Sequence, residues 1–119
     1  MTVAELKAEL DRIIGRLKSD PSVRMVLLFG SLARDDARDY SDIDLIVVKD
    51  TQMRFLDRLD EFYDDAREAM DILVYSPQEF EEMKERPFVK RALREGKMLY
   101  VAASLNLHHE VTDFPWSLM

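Results

Sequence analysis

The sequence VRMVLLFGSLARDDARDYSDIDLIVV, residues 23–48, contains the pattern that decides the fold. Its first part, Val23 to Phe29, is a short apolar run rich in β-forming residues, which predicts a mostly buried strand. Gly30-Ser31 ends that strand and precedes a short predicted helix. Ser41-Asp42 then leads into a second predicted strand, Ile43 to Val48, so the stretch predicts two strands joined through a turn.

Further helices and strands are predicted on both sides of this stretch. Thr2 and Glu5 form a capping box before an amphipathic helix, which we expect to end near Ser19 because Pro21 follows. The later elements are a helix from about Gln52 to Glu68, a strand from Met70 to Tyr75, a helix begun by Ser76-Pro77-Gln78-Glu79, a helix from Phe88 to Glu95 closed by Gly96 as its C-cap, and an edge strand from Lys97 to Val101. This order predicts one small α/β or α+β domain over residues 1–101.

The remaining residues, 102–119, form a tail without clear periodicity. Because the tail carries large apolar side chains such as Phe114 and Trp116, we expect it to pack on the core or on another chain. His108-His109-Glu110 superficially resembles a metal site. Adjacent histidines do not share a helix face as residues i and i+4 do, so we interpret this segment as surface or tail packing.

Composition and charge exclude several classes of function. With 47% hydrophobic and 34% charged residues, the chain is typical of a folded globular protein and not of a disordered one. No apolar run is long enough to span a membrane, and no signal peptide or cysteine is present, so we expect a cytoplasmic protein. The net charge of −7 argues against direct nucleic-acid binding. A magnesium nucleotide remains compatible, because the metal reverses the local field.

Asp42 and Asp44 are the first candidate site residues. Residues i and i+2 of a strand point to the same face, so the two carboxylates can converge on a hard cation such as Mg²⁺. Ile43, Leu45 and Val47 would face the opposite side. The alternative interpretation is that a short acidic pair only caps a turn.

Gly30-Ser31 and Asp71 extend this pattern. A glycine after a buried strand lets the backbone approach a phosphate closely, and Ser31 adds a hydroxyl donor, although Gly-Ser alone could be a simple corner. Asp71 lies in an apolar strand, where it is either exposed on a solvated face or completes a carboxylate cluster with Asp42 and Asp44. In the second case Asp71 could hold a metal and help to deprotonate an attacking hydroxyl.

Gly-Ser, Ala-Arg, Ser-Asp-x-Asp-Leu and a later strand aspartate together resemble the polymerase-beta-type nucleotidyltransferase superfamily. The short chain is similar to its minimal nucleotidyltransferase (MNT) branch, whose members pair with helical HEPN proteins in toxin–antitoxin systems. The resemblance covers roughly residues 10–101. It implies a small mixed β-sheet flanked by helices, the polymerase-beta-like nucleotidyltransferase fold.

The resemblance also implies roles for individual residues. Asp42 and Asp44 would contact two Mg²⁺ ions, Asp71 would contact one of them, and Gly30, Ser31 and Arg34 would bind the triphosphate of ATP. Arg38 could also neutralise phosphate, although both arginines could simply be solvated. The family commonly has glycine where this chain has Asp35, and from Arg34 to Asp44 five aspartates face two arginines. Such acids would oppose a triphosphate unless they point away or serve a metal.

The implied activity is transfer of AMP from ATP to a hydroxyl, such as a tyrosine of a HEPN toxin partner. This chain would then be the antitoxin of a type VII-like toxin–antitoxin pair. Two alternatives stay open: a catalytically weak antitoxin that only binds its partner, and a small-molecule nucleotidyltransferase whose acceptor site lies at a homodimer seam. The oligomeric state is open in each case.

Overall fold

A computed structural model describes residues 2–39, 41–54 and 70–102. In these ranges the elements along the chain are α1 (Val3–Lys18), β1 (Val23–Phe29), α2 (Gly30–Arg34), β2 (Ile43–Lys49), β3 (Met70–Tyr75), α3 (Pro77–Met83), α4 (Pro87–Glu95) and β4 (Lys97–Val101). The predicted tail, apart from Ala102, and its histidine pair lie outside the described residues. None of the described helices combines the length and the apolar character that crossing a membrane requires.

The strands form a mixed sheet in the order β3-β2-β1-β4. β1 pairs antiparallel with both β2 and β4, whereas β2 and β3 run parallel. The predicted mixed sheet with flanking helices is therefore confirmed, as is the position of β4 at an edge among the described strands. The strand that carries Asp71 lies directly beside the strand that carries Asp44, as the carboxylate cluster requires.

Two predicted helix starts are confirmed in detail. Thr2 and Glu5 make both hydrogen bonds of a capping box at α1, and Ser76 and Glu79 do the same at α3, where Pro77 occupies the first turn. Each box satisfies backbone N–H groups that a helix start otherwise leaves without partners. The short side chains of threonine and serine therefore fix where both helices begin.

Two predicted helix boundaries need correction. Residues 51–54 are not helical, so no helix begins at Gln52; the Thr51 hydroxyl accepts a hydrogen bond from the Met53 N–H at 3.0 Å, a local turn that competes with a helix. The rest of that predicted helix lies outside the described residues. Pro87 belongs to the first turn of α4 and does not merely precede it. The prediction that Gly96 is the C-cap of α4 is confirmed, and its φ is −82°.

The core lies on both faces of the sheet. On one face α1 and α2 pack against residues such as Val26, Ile43 and Leu45. On the other face α3 and α4 contribute Phe80, Val89 and Ala92, which pack against sheet residues including Leu27, Ile46 and Val48. Since side chains alternate along a strand, Asp44 belongs to the same face as Ile46 and Val48. The candidate site therefore lies on the α3–α4 side, at the end of the sheet where β2 and β3 begin.

Candidate nucleotide and metal site

A row of three residues crosses three strands at this end of the sheet. Phe29, the last residue of β1, is paired in register with Asp44 of β2, and Asp44 is paired with Asp71 of β3. Directly opposite residues in neighbouring strands lie about 5 Å apart at Cα. The parallel register thus brings together two residues with carboxylate side chains that lie 27 positions apart in the sequence.

Gly30 follows this row and lies against the carboxylate of Asp44. Its φ is +74°, in the region that favours glycine, and a Cβ built at this position would collide with Asp44 Oδ2. Any other residue would therefore be strained and would displace the carboxylate. The group that approaches Gly30 closely in this structure is the side chain of Asp44, and the expected approach of a phosphate stays a prediction.

The electrostatic surroundings of Asp44 are unfavourable for a lone negative charge. Burial, followed by the charges of Asp71 and Asp42, raises the pKa of Asp44 from 3.8 to about 6, while the charge of Arg34 acts in the opposite direction. Asp42 and Asp71 themselves are exposed. Two exposed acids that repel a half-buried carboxylate form, together with it, a place where a cation is favoured.

These residues fit a magnesium site by the chemistry of their donors. Hard carboxylate oxygens are the ligands that Mg²⁺ takes in proteins, together with water and phosphate. In the described residues, however, no three acidic or histidine side chains converge closely enough to surround one ion in the conformation seen. The exposed side chains of Asp42 and Asp71 can reach other rotamers, whereas Asp44 is held beside Gly30. Asp44 is thus the fixed member of the set.

In the loop between α2 and β2, two hydrogen bonds fix the residues that precede Asp42. Ser41 accepts a hydrogen bond from the Arg38 N–H at 2.8 Å through its hydroxyl, and its own N–H donates to the Arg38 carbonyl at 2.9 Å. These two bonds close a turn immediately before Asp42. The side chain of Arg38 is exposed, so its predicted contact with phosphate stays a prediction.

Asp35 ends α2 in a left-handed conformation, with φ +62°. Glycine adopts this region without strain, which gives a physical reason for the glycine that the resemblance leads one to expect at this position. The Asp35 carboxylate is 75% exposed and lies 3.5 Å from Lys97 Nζ. Asp36 Oδ2 lies 3.3 Å from Arg34 Nε. Each of these two acids therefore has a cationic neighbour.

A cavity of about 210 Å³ adjoins Gly30 on the side of α4. It is lined by Phe29, Gly30, Arg34, Phe88, Arg91, Ala92 and Glu95. Sequence reasoning missed the α4 residues of this lining. Their spacing, i, i+3, i+4 and i+7 from Phe88, marks one helix face, but such spacing alone is equally typical of an ordinary amphipathic helix.

Comparison with known proteins identifies the family of this chain. A family model described as Polymerase beta, Nucleotidyltransferase matches residues 11–104. No curated protein matches the chain. A solved protein of Sulfolobus solfataricus, provisionally assigned as a nucleotidyltransferase, superimposes with a TM-score of 0.60 at 24% identity, over 82% of each chain.

Two solved toxin–antitoxin structures are also similar. One, determined with AMP-PNP, has a TM-score of 0.55 at 17% identity and covers 91% of this chain and 80% of that chain. The other, a mutant of the MntA-HpeT pair, has a TM-score of 0.52 at 18% identity with the same coverage. At these identities the solved structures show a shared fold. With the family match extending over most of its length, the chain belongs to the polymerase beta nucleotidyltransferase family.

Proposed function

We propose that this protein transfers AMP from ATP to a hydroxyl group of a partner protein, a tyrosine of a HEPN-type toxin, and so acts as the antitoxin of a type VII-like pair. The observation that carries the proposal is the alignment of Asp44 with Asp71 across β2 and β3, with Gly30 against the Asp44 carboxylate. The similarity to a toxin–antitoxin structure determined with AMP-PNP supports the choice of nucleotide and of partner.

Each site residue has a role in this reaction. Asp42, Asp44 and Asp71 would hold two Mg²⁺ ions, which when bound supply positive charge to the phosphate oxygens. Gly30 and Ser31 would bind the triphosphate with backbone N–H and hydroxyl groups, and Arg34 would neutralise part of its charge. The acceptor oxygen bonds to the α-phosphorus as the bond to pyrophosphate breaks, and Asp71 accepts the hydroxyl proton. Positioning and charge stabilisation would supply most of the rate enhancement.

The electrostatics of the site favour a metal nucleotide over a free anion. Without a cation, Asp42, Asp44 and Asp71 repel phosphate; burial, followed by the charges of Asp71 and Asp42, also raises the pKa of Asp44. With a divalent cation the same carboxylates become ligands, and the sign of their effect on phosphate binding reverses. The proposal therefore requires nucleotide binding to depend strongly on Mg²⁺.

The direct test is intact-mass measurement of the protein that copurifies with this chain, before and after incubation with Mg·ATP. We expect the partner to gain the mass of one or more adenylate units. The double substitution Asp42→Asn/Asp44→Asn should abolish the gain, whereas Asp11→Asn, an exposed change on α1, should leave it intact.

Other outcomes would favour the alternative functions. If the complex forms but the partner gains no mass, the binding-only antitoxin becomes the better interpretation. If no protein copurifies and the chain nevertheless releases pyrophosphate in the presence of small hydroxyl compounds, a small-molecule acceptor is indicated. If the partner does gain mass, peptide mapping would identify the modified residue. A residue other than tyrosine would contradict that part of the proposal.

A further inference from the structure

Helix α4 presents one continuous face to the turn that contains Gly30. Phe88 and Phe29 make an edge-to-face ring contact with centroids 5.5 Å apart, at an interplanar angle of 89°. This contact attaches the first turn of α4 to the end of β1. Arg91 lies one turn further along the same face and Glu95 two turns further, so both reach the cavity beside Gly30.

Glu95 joins two arginines at this cavity. Its Oε1 lies 3.2 Å from Arg91 Nε and 3.8 Å from Arg34 Nη1, and its Oε2 lies 3.3 Å from Arg91 Nε. The two guanidinium groups come from different elements, α2 and α4, and share one carboxylate. Arg34 is also close to Asp36, so two acids neutralise it in the absence of ligand.

The position of the two arginines relative to Asp44 and Asp71 determines which phosphates of a bound nucleotide the arginines could contact. Asp44 and Asp71 lie on β2 and β3, whereas the cavity is lined by Phe29 and Gly30 at the end of β1 and by residues of α2 and α4. A triphosphate whose α-phosphorus is held at the carboxylates and which passes Gly30 would place its outer phosphates in the cavity. At about 210 Å³ the cavity is smaller than the roughly 300 Å³ from which pockets enclose whole ligands, so it suits only part of one.

We propose that Arg91 binds the terminal phosphates of the nucleotide together with Arg34, and that Glu95 occupies both guanidinium groups until the nucleotide displaces it. This inference rests on the proposed function, because it assumes a nucleoside triphosphate at the Gly30 turn. Guanidinium groups form bidentate hydrogen bonds with phosphate oxygens as readily as with carboxylate oxygens. Both arginines therefore keep their bonding when phosphate replaces the Glu95 carboxylate. Glu95 lowers the affinity for the outer phosphates, since it must first be displaced.

The experiment is isothermal titration of the full chain, with Mg²⁺ present, using a non-hydrolysable ATP analogue, AMP and inorganic tripolyphosphate. We expect Arg91→Gln to weaken binding of the ATP analogue and of tripolyphosphate about tenfold, as for loss of a charge-assisted hydrogen bond, and to change AMP binding by less than about twofold. Glu95→Gln should strengthen binding of the ATP analogue and of tripolyphosphate roughly threefold.

Matched controls separate local from general charge effects. Arg94→Gln removes the same charge from an exposed position of α4 outside the cavity, and Glu82→Gln removes an exposed acid from α3. Both should leave all three affinities unchanged within about twofold. Arg91 is 66% exposed, so its substitution should leave the fold intact, which a thermal melt of each variant checks.

The outcomes separate this inference from the proposed function. If the ATP analogue binds and the Arg91 and Glu95 variants behave like their controls, the inference is wrong and the proposed function stands. If tripolyphosphate binding depends on Arg91 and Glu95 but the nucleotide does not bind, the two arginines bind polyphosphate only, and the proposed function falls together with the nucleotide part of the inference. If neither the ATP analogue nor tripolyphosphate binds the parent chain, the inference and the proposed function are both overturned.

Discussion

Asp44 combines structural cost and proposed function in one side chain. In a chelator at pH 7 we expect Asp44→Asn to raise the free energy of unfolding by about 1 kcal/mol, because it removes a half-buried charge that Asp71 and Asp42 repel, and solvent screens part of that repulsion. Addition of Mg²⁺ should stabilise the parent chain and leave the variant unchanged. Urea denaturation with and without Mg²⁺ measures both effects.

The pH dependence of this difference follows from the raised pKa. In the unfolded chain Asp44 ionises near pH 3.8, and in the folded chain at about 6. Between these values the folded state binds more protons, so the stability of the parent chain falls as pH rises. The advantage of Asp44→Asn should be absent near pH 4, grow up to about pH 6 and then stay constant. A variant less stable than the parent at pH 7 in chelator would contradict the repulsion described above.

Asp35 gives a second prediction at the residue scale, because of its φ of +62°. An alanine is strained in this conformation and a glycine is not, so Asp35→Ala should be less stable than Asp35→Gly by about 1 kcal/mol. The ion pair between Asp35 and Lys97 is largely exposed, and both substitutions remove it, so it contributes little to the difference between the two variants. Thermal melts of the two variants test the expectation, and equal stabilities would show that the end of α2 rearranges when Asp35 is replaced.

At the scale of the elements, Gly96 controls how α4 meets β1. Its φ of −82° is open to any residue, but a Cβ would collide with the Ala92 carbonyl and would lie 2.6 Å from the Leu28 carbonyl. Gly96→Ala should therefore cost about 1–3 kcal/mol through overpacking. Gly15, in α1, has open space where a Cβ would be added, so Gly15→Ala should gain about 0.5–1 kcal/mol from helix propensity.

Urea denaturation of the two glycine variants gives opposite signs if both arguments hold. A neutral Gly96→Ala would mean that α4 can shift away from β1 without loss of packing. Such a shift would also move Arg91 relative to Gly30, because Arg91 is part of α4. The pair therefore tests the rigidity on which the cavity depends.

The predictability of the elements depended on whether their signals were local. Both capping boxes were read from side chains three residues apart, and the strands from apolar runs, so these were predicted correctly. The parallel pairing of β2 with β3 has no local signal and was not predicted; the functional argument about Asp71 required only that the two strands be neighbours. Phe88 and Arg91 were missed for the same reason, since only the packing of α4 on β1 brings them to Gly30.

At the scale of the whole molecule, ligand binding should appear as stabilisation of the entire domain. With Mg·ATP at about 100 times its dissociation constant the linkage gain is about 2.7 kcal/mol, which corresponds to a rise in Tm of roughly 10 °C for a domain of this size. Chelation of Mg²⁺ should remove the rise. Asp71→Asn, at an exposed position, should keep the unliganded fold and lose most of the rise. A full rise in chelator would contradict the metal requirement.

Because the site depends on the register of β2 against β3, ligand binding also indicates whether these two strands have paired correctly during folding. Side chains alternate between the faces of a sheet, so sliding β3 by one residue would carry Asp71 to the face of α1 and set Met70 or Ile72 beside Asp44. Chains paired one step out of line would retain the helices of the correct fold. In a refolded preparation, the ratio of binding-competent sites to total protein therefore counts the molecules whose strands have joined in the correct alignment.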